Sequence, residues 1–188
     1  MKYLIAGLGN PGREYENTRH NTGFMILDNL AINKSVLFTD SRLASIAAFK
    51  HKGREFTMIK PTTFMNLSGK AVLYWIQKIK IPHTNLLVIA DDIALPLATL
   101  RLKPEGSDGG HNGLKSVSEH LITTNYPRLR FGIGNDFSKG MQTDYVLGEW
   151  QNDELDIIKP KIETAIKLIE DFVCIGIQHT MNKYNKSE

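Results

Sequence analysis

The feature that most restricts the fold of this chain is an alternation. Short, fully apolar runs break abruptly at polar residues, and between them lie segments whose apolar residues recur every three or four positions. Tyr3 to Leu8 runs into a Gly-Asn-Pro-Gly break, and Leu86 to Ala90 closes on Asp91-Asp92. Runs of this length bounded by turn residues read as buried strands. From Gly23 onward, Phe24, Leu27, Leu30 and Ala31 share one face of a helix. A second helix carries Val72, Leu73, Ile76 and Ile79 until Pro82 stops it. A hairpin interrupts the alternation: Ala44 to Lys50 and Glu55 to Lys60 are rich in β-formers, are joined by His51-Lys52-Gly53-Arg54, and end at Pro61. Leu100 to Lys103 and Arg128 to Ile133 read as further strands, with a short helix bearing Leu114, Val117 and Leu121 between them. A long C-terminal helix carries Leu155, Ile158, Ile162, Ala165, Ile166, Ile169 and Val173. These elements define an α/β chain: one domain over residues 1–188, with a twisted mixed β-sheet and helices on both faces.

Composition enters as a set of exclusions. A chain of 188 residues that is 41% hydrophobic can bury a sizeable core. Its one cysteine, Cys174, rules out an intrachain disulfide and a thiolate cluster, so a reducing, cytoplasmic setting is expected. The residue lies within the C-terminal helix pattern and reads as packed rather than reactive. No apolar run approaches the roughly 18 residues of a membrane span. The N-terminal apolar stretch faintly mimics a secretion signal, but Asn10, Pro11, Arg13 and Glu14 follow it without a cleavage site, so it reads as a first strand. A net charge of +3 discriminates little between nucleic-acid binders and ordinary enzymes.

Gly7, Gly9 and Gly12 match the spacing of a dinucleotide fingerprint after a strand. That motif works through a helix N-terminus, and Arg13 to Asn21 lack an apolar helical stripe, so no nucleotide cofactor is expected there. The six histidines are scattered without ligand spacing, and no metal is expected. More informative is where polar side chains fall. Asn10 and His20 lie in the loop after the first strand, Asn66 precedes a helix, Asp91 ends an apolar strand, and His111-Asn112 closes a glycine-rich loop from Pro104 to Gly113. In open α/β sheets the crevice beyond strand carboxyl ends is where ligands bind.

Taken singly, each has a plain reading: His20 as a loop histidine bonded to backbone, Asp91 as a cap or turn acid, the asparagines as turn residues. A carboxylate directly after Leu87-Val88-Ile89-Ala90 is costly unless paired, and an imidazole N–H would satisfy it. Such a pair fixes the imidazole tautomer and leaves the other nitrogen to take a proton from water. The chain has no G-x-S-x-G, so activated water is the expected nucleophile. Arg101, Lys103, Lys115, Arg128 and Arg130 face three acids between positions 101 and 130. They read either as a solvated strand face or, because Arg128 and Arg130 alternate as Arg101 and Lys103 do, as two pairs able to grip phosphate.

Six segments, in order, resemble those of bacterial-type peptidyl-tRNA hydrolases and together span essentially the whole chain. They are Gly7-Leu8-Gly9-Asn10-Pro11-Gly12 with Tyr15; Thr18-Arg19-His20-Asn21-Thr22-Gly23; Lys60 to Gly69 (KPTTFMNLSG); Ala90-Asp91-Asp92 before Leu95-Pro96; Gly106 to Leu114 (GSDGGHNGL); and Arg128 to Gly134 (RLRFGIG). The resemblance implies a metal-free, cofactor-free monomer that hydrolyses the ester between a peptide's carboxyl carbon and the terminal ribose of tRNA. It implies His20 as base and Asp91 as the carboxylate that orients it. Asn10, Asn66 and Asn112 would bind substrate, and Met65 would lie in the peptide-binding stretch. His111 would stand at the cleft mouth, Tyr15 near the tRNA acceptor end, and Lys103 and Arg130 would hold tRNA phosphate. One departure is Ala94, where many relatives have an acid; it bears on local packing or charge and not on the catalytic set. The rival expectation is a non-catalytic RNA-binding module on the same fold, which would have no chemical need for Asn10, His20, Asn66 and Asp91 together.

Overall fold

A computed structural model describes residues 1–185. In chain order the elements are β1 (Lys2–Gly7), α1 (Thr22–Asn33), β2 (Thr39–Ser41), β3 (Ala44–His51), β4 (Arg54–Pro61), α2 (Ser68–Ile79), β5 (Leu86–Asp92), β6 (Leu100–Lys103), α3 (Asn112–Leu121), β7 (Arg128–Gly132), α4 (Gln142–Leu147), α5 (Asn152–Ile175) and α6 (Ile177–Tyr184). The strands form one sheet of seven in the order β2-β3-β4-β1-β5-β7-β6. β4, β1, β5 and β7 run parallel, while β3 and β6 run against their neighbours β4 and β7.

The two apolar runs occupy the centre because both faces of a central parallel strand are covered. Tyr3 and Ile5 of β1 join Leu87 and Ile89 of β5 in the core under α1 and α5. Leu4 and Ala6, pointing the other way, join Val88 and Ala90 under α2 and α3. From β1 the chain leaves toward β4, and from β5 it leaves toward β7. The crevice between the carboxyl ends of β1 and β5 is therefore the point where the sheet's winding reverses, the place such sheets bind ligands.

The Gly-rich break after β1 serves this packing. A Cβ on Gly7 would strike the Gly23 carbonyl oxygen, and one on Gly23 would strike the Leu8 backbone, so α1 lies almost in contact with the sheet. The glycines lead into a short 3-10 turn, Arg13–Tyr15, and not into an α-helix N-terminus. The expected elements are all present, with Tyr3 to Leu8 and Arg128 to Ile133 each ending one residue early. Three more exist that local pattern does not announce. β2 is three exposed or half-buried polar residues on the sheet edge, α4 buries no residue at all, and α6 begins after a break at Gly176 (φ 83°).

Candidate active site

The crevice is a cleft of about 370 Å³. Its floor starts from His20, buried in a 3-10 turn just before α1 that Thr22 tightens by donating its hydroxyl to the Arg19 carbonyl at 2.6 Å. His20 Nδ1 lies 2.9 and 3.0 Å from the two carboxylate oxygens of Asp91. His111 Nε2 reaches Asp91 Oδ1 from the other side at 2.9 Å, and the two imidazoles sit 4.9 Å apart, centre to centre. Burial raises the Asp91 carboxyl, but the imidazoles of His111 and His20 outweigh it and hold that carboxyl far below the ordinary carboxylate range. Asp91 is thus an anion at neutral pH.

The tautomers are set by the neighbours. The N–H groups of Gly113 and Leu114 donate to His111 Nδ1 at 3.1 and 3.2 Å, capping α3. With its lone pair so engaged, the ring carries its proton on Nε2 and donates it to Asp91. Positive φ at Gly109 and Gly110 turns the loop to bring His111 into this position. In its neutral form His20 donates an Nδ1 proton to Asp91, and Nε2 is then the nitrogen able to accept.

Beside this pair, Asn10 is held on three sides. Its N–H donates to Asn21 Oδ1 at 2.8 Å, its carbonyl accepts from Asn21 Nδ2 at 2.9 Å, and its side-chain oxygen accepts from the Met65 N–H at 2.8 Å. Because Oδ1 is committed, the amide's Nδ2 is the end left free, with no hydrogen-bond partner among the described residues. Met65 is buried, and its sulfur packs where a Cβ on Gly113 would stand.

Around the rim, Phe64, Asn66, Asp108 to Gly110, Asn112, Arg130 and one face of α4 line the cleft. Asn66 and Asn112 are exposed to it. Arg130 pairs through Nε with Asp92, whose other oxygen accepts the Ala94 N–H at 2.9 Å, so residue 94 contributes its backbone while its side chain faces solvent. Lys103 is exposed at the far end of β6, opposite Arg128, and outside the cleft lining. Tyr15 also lies outside it, edge-on to Phe64 at 6.5 Å.

Two expectations change here. Arg128 is not a phosphate grip: it is 1% exposed, and its guanidinium donates to the Ser107 and Thr124 carbonyls at 2.9 Å each, anchoring the base of the glycine-rich loop. His111 stands not at the mouth but against Asp91, with both nitrogens engaged. Histidines without ligand spacing in sequence are also brought together, since His20, Asp91 and His111 offer ligand atoms within 4.8 Å of one another. The donor set fits a metal poorly, because Nε2 of His111 carries the proton and has no lone pair to give. Sequence reasoning misses Asn21, Asp92 and Arg19, whose polar types at loop and strand ends are the available signal. The α4 residues give none.

A buried His–carboxylate pair with a free imidazole nitrogen, set at the switch point of a mixed α/β sheet beside a free amide, defines a hydrolase-type site. The chain belongs to the peptidyl-tRNA hydrolase family, whose profile matches residues 4–188. Peptidyl-tRNA hydrolases of Phocaeicola vulgatus and Bacteroides fragilis are each 54% identical over 186 residues, covering 99% of this chain and all of the relative. The crystal structure of peptidyl-tRNA hydrolase from Acinetobacter baumannii superposes with a TM-score of 0.93 at 32% identity, covering 99% of this chain and 95% of that one. No described helix is long and apolar enough to cross a membrane.

Proposed function

We propose that this protein cleaves the ester joining the carboxyl carbon of a peptide to the terminal ribose of tRNA, acting as a metal-free monomer in the cytoplasm, where translation releases such molecules. The observation that carries the mechanism is the His20 Nδ1 contact with a buried, ionised Asp91, which leaves Nε2 as the accepting nitrogen in the cleft. His20 Nε2 takes a proton from water as its oxygen bonds to the ester carbon. The oxyanion that forms is met by Asn10 Nδ2. Collapse breaks the bond to the ribose oxygen, which receives the proton back from the imidazolium.

An ester of this kind is already activated, so modest assistance suffices. General-base help contributes about 10²- to 10⁴-fold, and one oxyanion donor roughly 3 to 4 kcal/mol. Asn66 and Asn112 each offer an N–H donor and a carbonyl acceptor to peptide backbone, so recognition has little need of peptide sequence. Met65 lines the peptide side, and Tyr15 lies toward the tRNA acceptor end. Lys103 and Arg130 hold tRNA phosphate, for which Arg130 exchanges Asp92. His111, with both nitrogens committed, keeps Asp91 in place.

The test is incubation of the protein with an N-acetyl-aminoacyl-tRNA in the presence of a chelator, beside its His20→Ala variant. Rapid cleavage that the variant loses supports the reading. Binding without cleavage by either protein would hand the site to the RNA-binding alternative, and cleavage untouched by the substitution would mean a different base.

A further inference from the structure

Directly before His20 stands a buried cation that the proposed chemistry does not use. Arg19 is 7% exposed, a placement that is costly for a guanidinium unless its donors are met. Nearly all its partners come from one distant stretch. Nη1 donates to the carbonyls of Glu149 at 3.0 Å and Tyr145 at 3.4 Å, and Nη2 pairs with Glu154 at 2.7 Å. The guanidinium carbon also lies 4.4 Å from the Tyr145 ring centre and 5.3 Å from that of Trp150. Backbone pairing supports the same join, with the Arg19 N–H donating to the Gly148 carbonyl and the Trp150 N–H to that of Asn17.

One of these bonds, to the Tyr145 carbonyl, and one ring contact end on α4, and the rest end on the segment directly after it, from Gly148 to Glu154. α4 lines the cleft with Gln142, Thr143, Val146 and Leu147 yet fully buries none of its own residues. A six-residue helix that reaches the core through the half-buried Tyr145 and Val146 has only a modest hydrophobic reason to stay put. Tyr145 adds two further ties: its hydroxyl donates to the Ile133 carbonyl at 2.6 Å, and its ring meets Phe137. Glu154 is itself fixed, because its carboxylate also accepts the Gln151 N–H in the capping box of α5.

We propose that Arg19 is a positioning residue that latches the α4 wall of the cleft to the turn carrying the catalytic base. It sets how closely that wall meets the substrate, so binding depends on it more than the chemical step does. The base does not depend on the latch for its orientation, since Asp91 supplies that from β5. The kinetic half of this inference rests on the hydrolase reading; the structural half does not.

The experiment compares the parent with Arg19→Met, Arg19→Lys and Glu154→Gln by hydrogen exchange across residues 142–149 and by steady-state cleavage of an N-acetyl-aminoacyl-tRNA. In Arg19→Met, exchange over 142–149 rises while β1 and β5 stay protected. KM rises roughly ten- to a hundredfold, as loss of a charged hydrogen-bond set implies, with kcat within about threefold. Arg19→Lys recovers part of both effects. Should Arg19→Met unfold as a whole, Glu154→Gln, which keeps the cation and weakens its anchor, must show the same pattern at smaller size. A fall in kcat at constant KM, or unchanged exchange over 142–149, overturns the latch. If the parent itself does not cleave, the hydrolase reading fails, and the exchange result alone decides the latch.

Discussion

His20, Asp91, His111 and Asn10 at the floor of the cleft each make a hydrogen bond of 3.1 Å or less to the sheet, a helix end or a neighbouring loop, whereas the α4 wall fully buries no residue and is tied down by the Arg19 guanidinium and the half-buried Tyr145 and Val146. The difference assigns separate tasks. On the proposed mechanism the floor groups must keep one geometry through proton transfer; Asp91 lies at the end of a fully buried strand, and His20, His111 and Asn10 are fixed around it by hydrogen bonds. On the same reading the rim meets substrates of varied sequence, so a less firmly held wall is tolerated there. Changes at the floor should then alter rate and leave affinity, while changes at the rim should do the reverse.

The largest effect belongs to His20→Ala, expected to slow cleavage by about 10²- to 10⁴-fold while tRNA binding stays at the parent level. Single-turnover cleavage and filter binding on one preparation check this, and loss of binding in step with rate would erase the division between floor and rim. Asn10→Ala should come next, with kcat down about 10²- to 10³-fold. Because Oδ1 of Asn10 also holds the Met65 N–H, Asn10→Asp is the sharper probe: it keeps that acceptor, removes the donor, and should be as slow as alanine.

Asp91 gives a stability test of the floor. Its carboxyl is held below its unfolded value near 4, so the stabilisation from its ionised form is fully present above about pH 4 and drains away as pH falls further. The Asp91→Asn protein lacks that contribution. Denaturant unfolding should therefore show a gap from the parent at pH 7 that narrows in acid, and a constant gap would mean that the carboxylate's charge is not what stabilises the floor.

The smallest effects are those at the two cations proposed to hold phosphate. Arg130→Ala and Lys103→Ala should each weaken tRNA binding and reduce the salt slope by roughly 0.7 to 0.9 per phosphate lost, with kcat unchanged. Arg130 is held back by Asp92 and Lys103 is not, so Asp92→Asn should tighten binding in a way that depends on Arg130. Titrations at several salt concentrations check both; an unaltered slope would remove phosphate contact from that residue.

Much of the framework is legible in the sequence because its signals are local. A period of two or 3.6 places strands and helices, glycine and proline place turns, and a carboxylate after four apolar residues advertises a buried partner. These identify β1, β3 to β7, α1 to α3 and α5, and they put His20, Asp91 and the asparagines in loops at strand ends. The dinucleotide-like glycines also have a local tell, the absence of a helical stripe after Gly12, and the structure supplies their purpose in the close approach of α1.

Tertiary structure alone decides which of these ends meet. That β1 and β5 lie side by side results from the order in which seven strands pair, and only this brings His20 to Asp91 across 71 residues of chain. Alternation puts Arg128 and Arg130 on one side of a strand, yet the loop from Pro104 to Gly113 folds over the first and leaves the second at the cleft. A side chain's face is fixed by its own backbone, but its burial is fixed by whatever else packs there. For the same reason α4 is invisible in the sequence: a six-residue helix held largely by tertiary contacts, Arg19 among them, has too few turns for an apolar period to show.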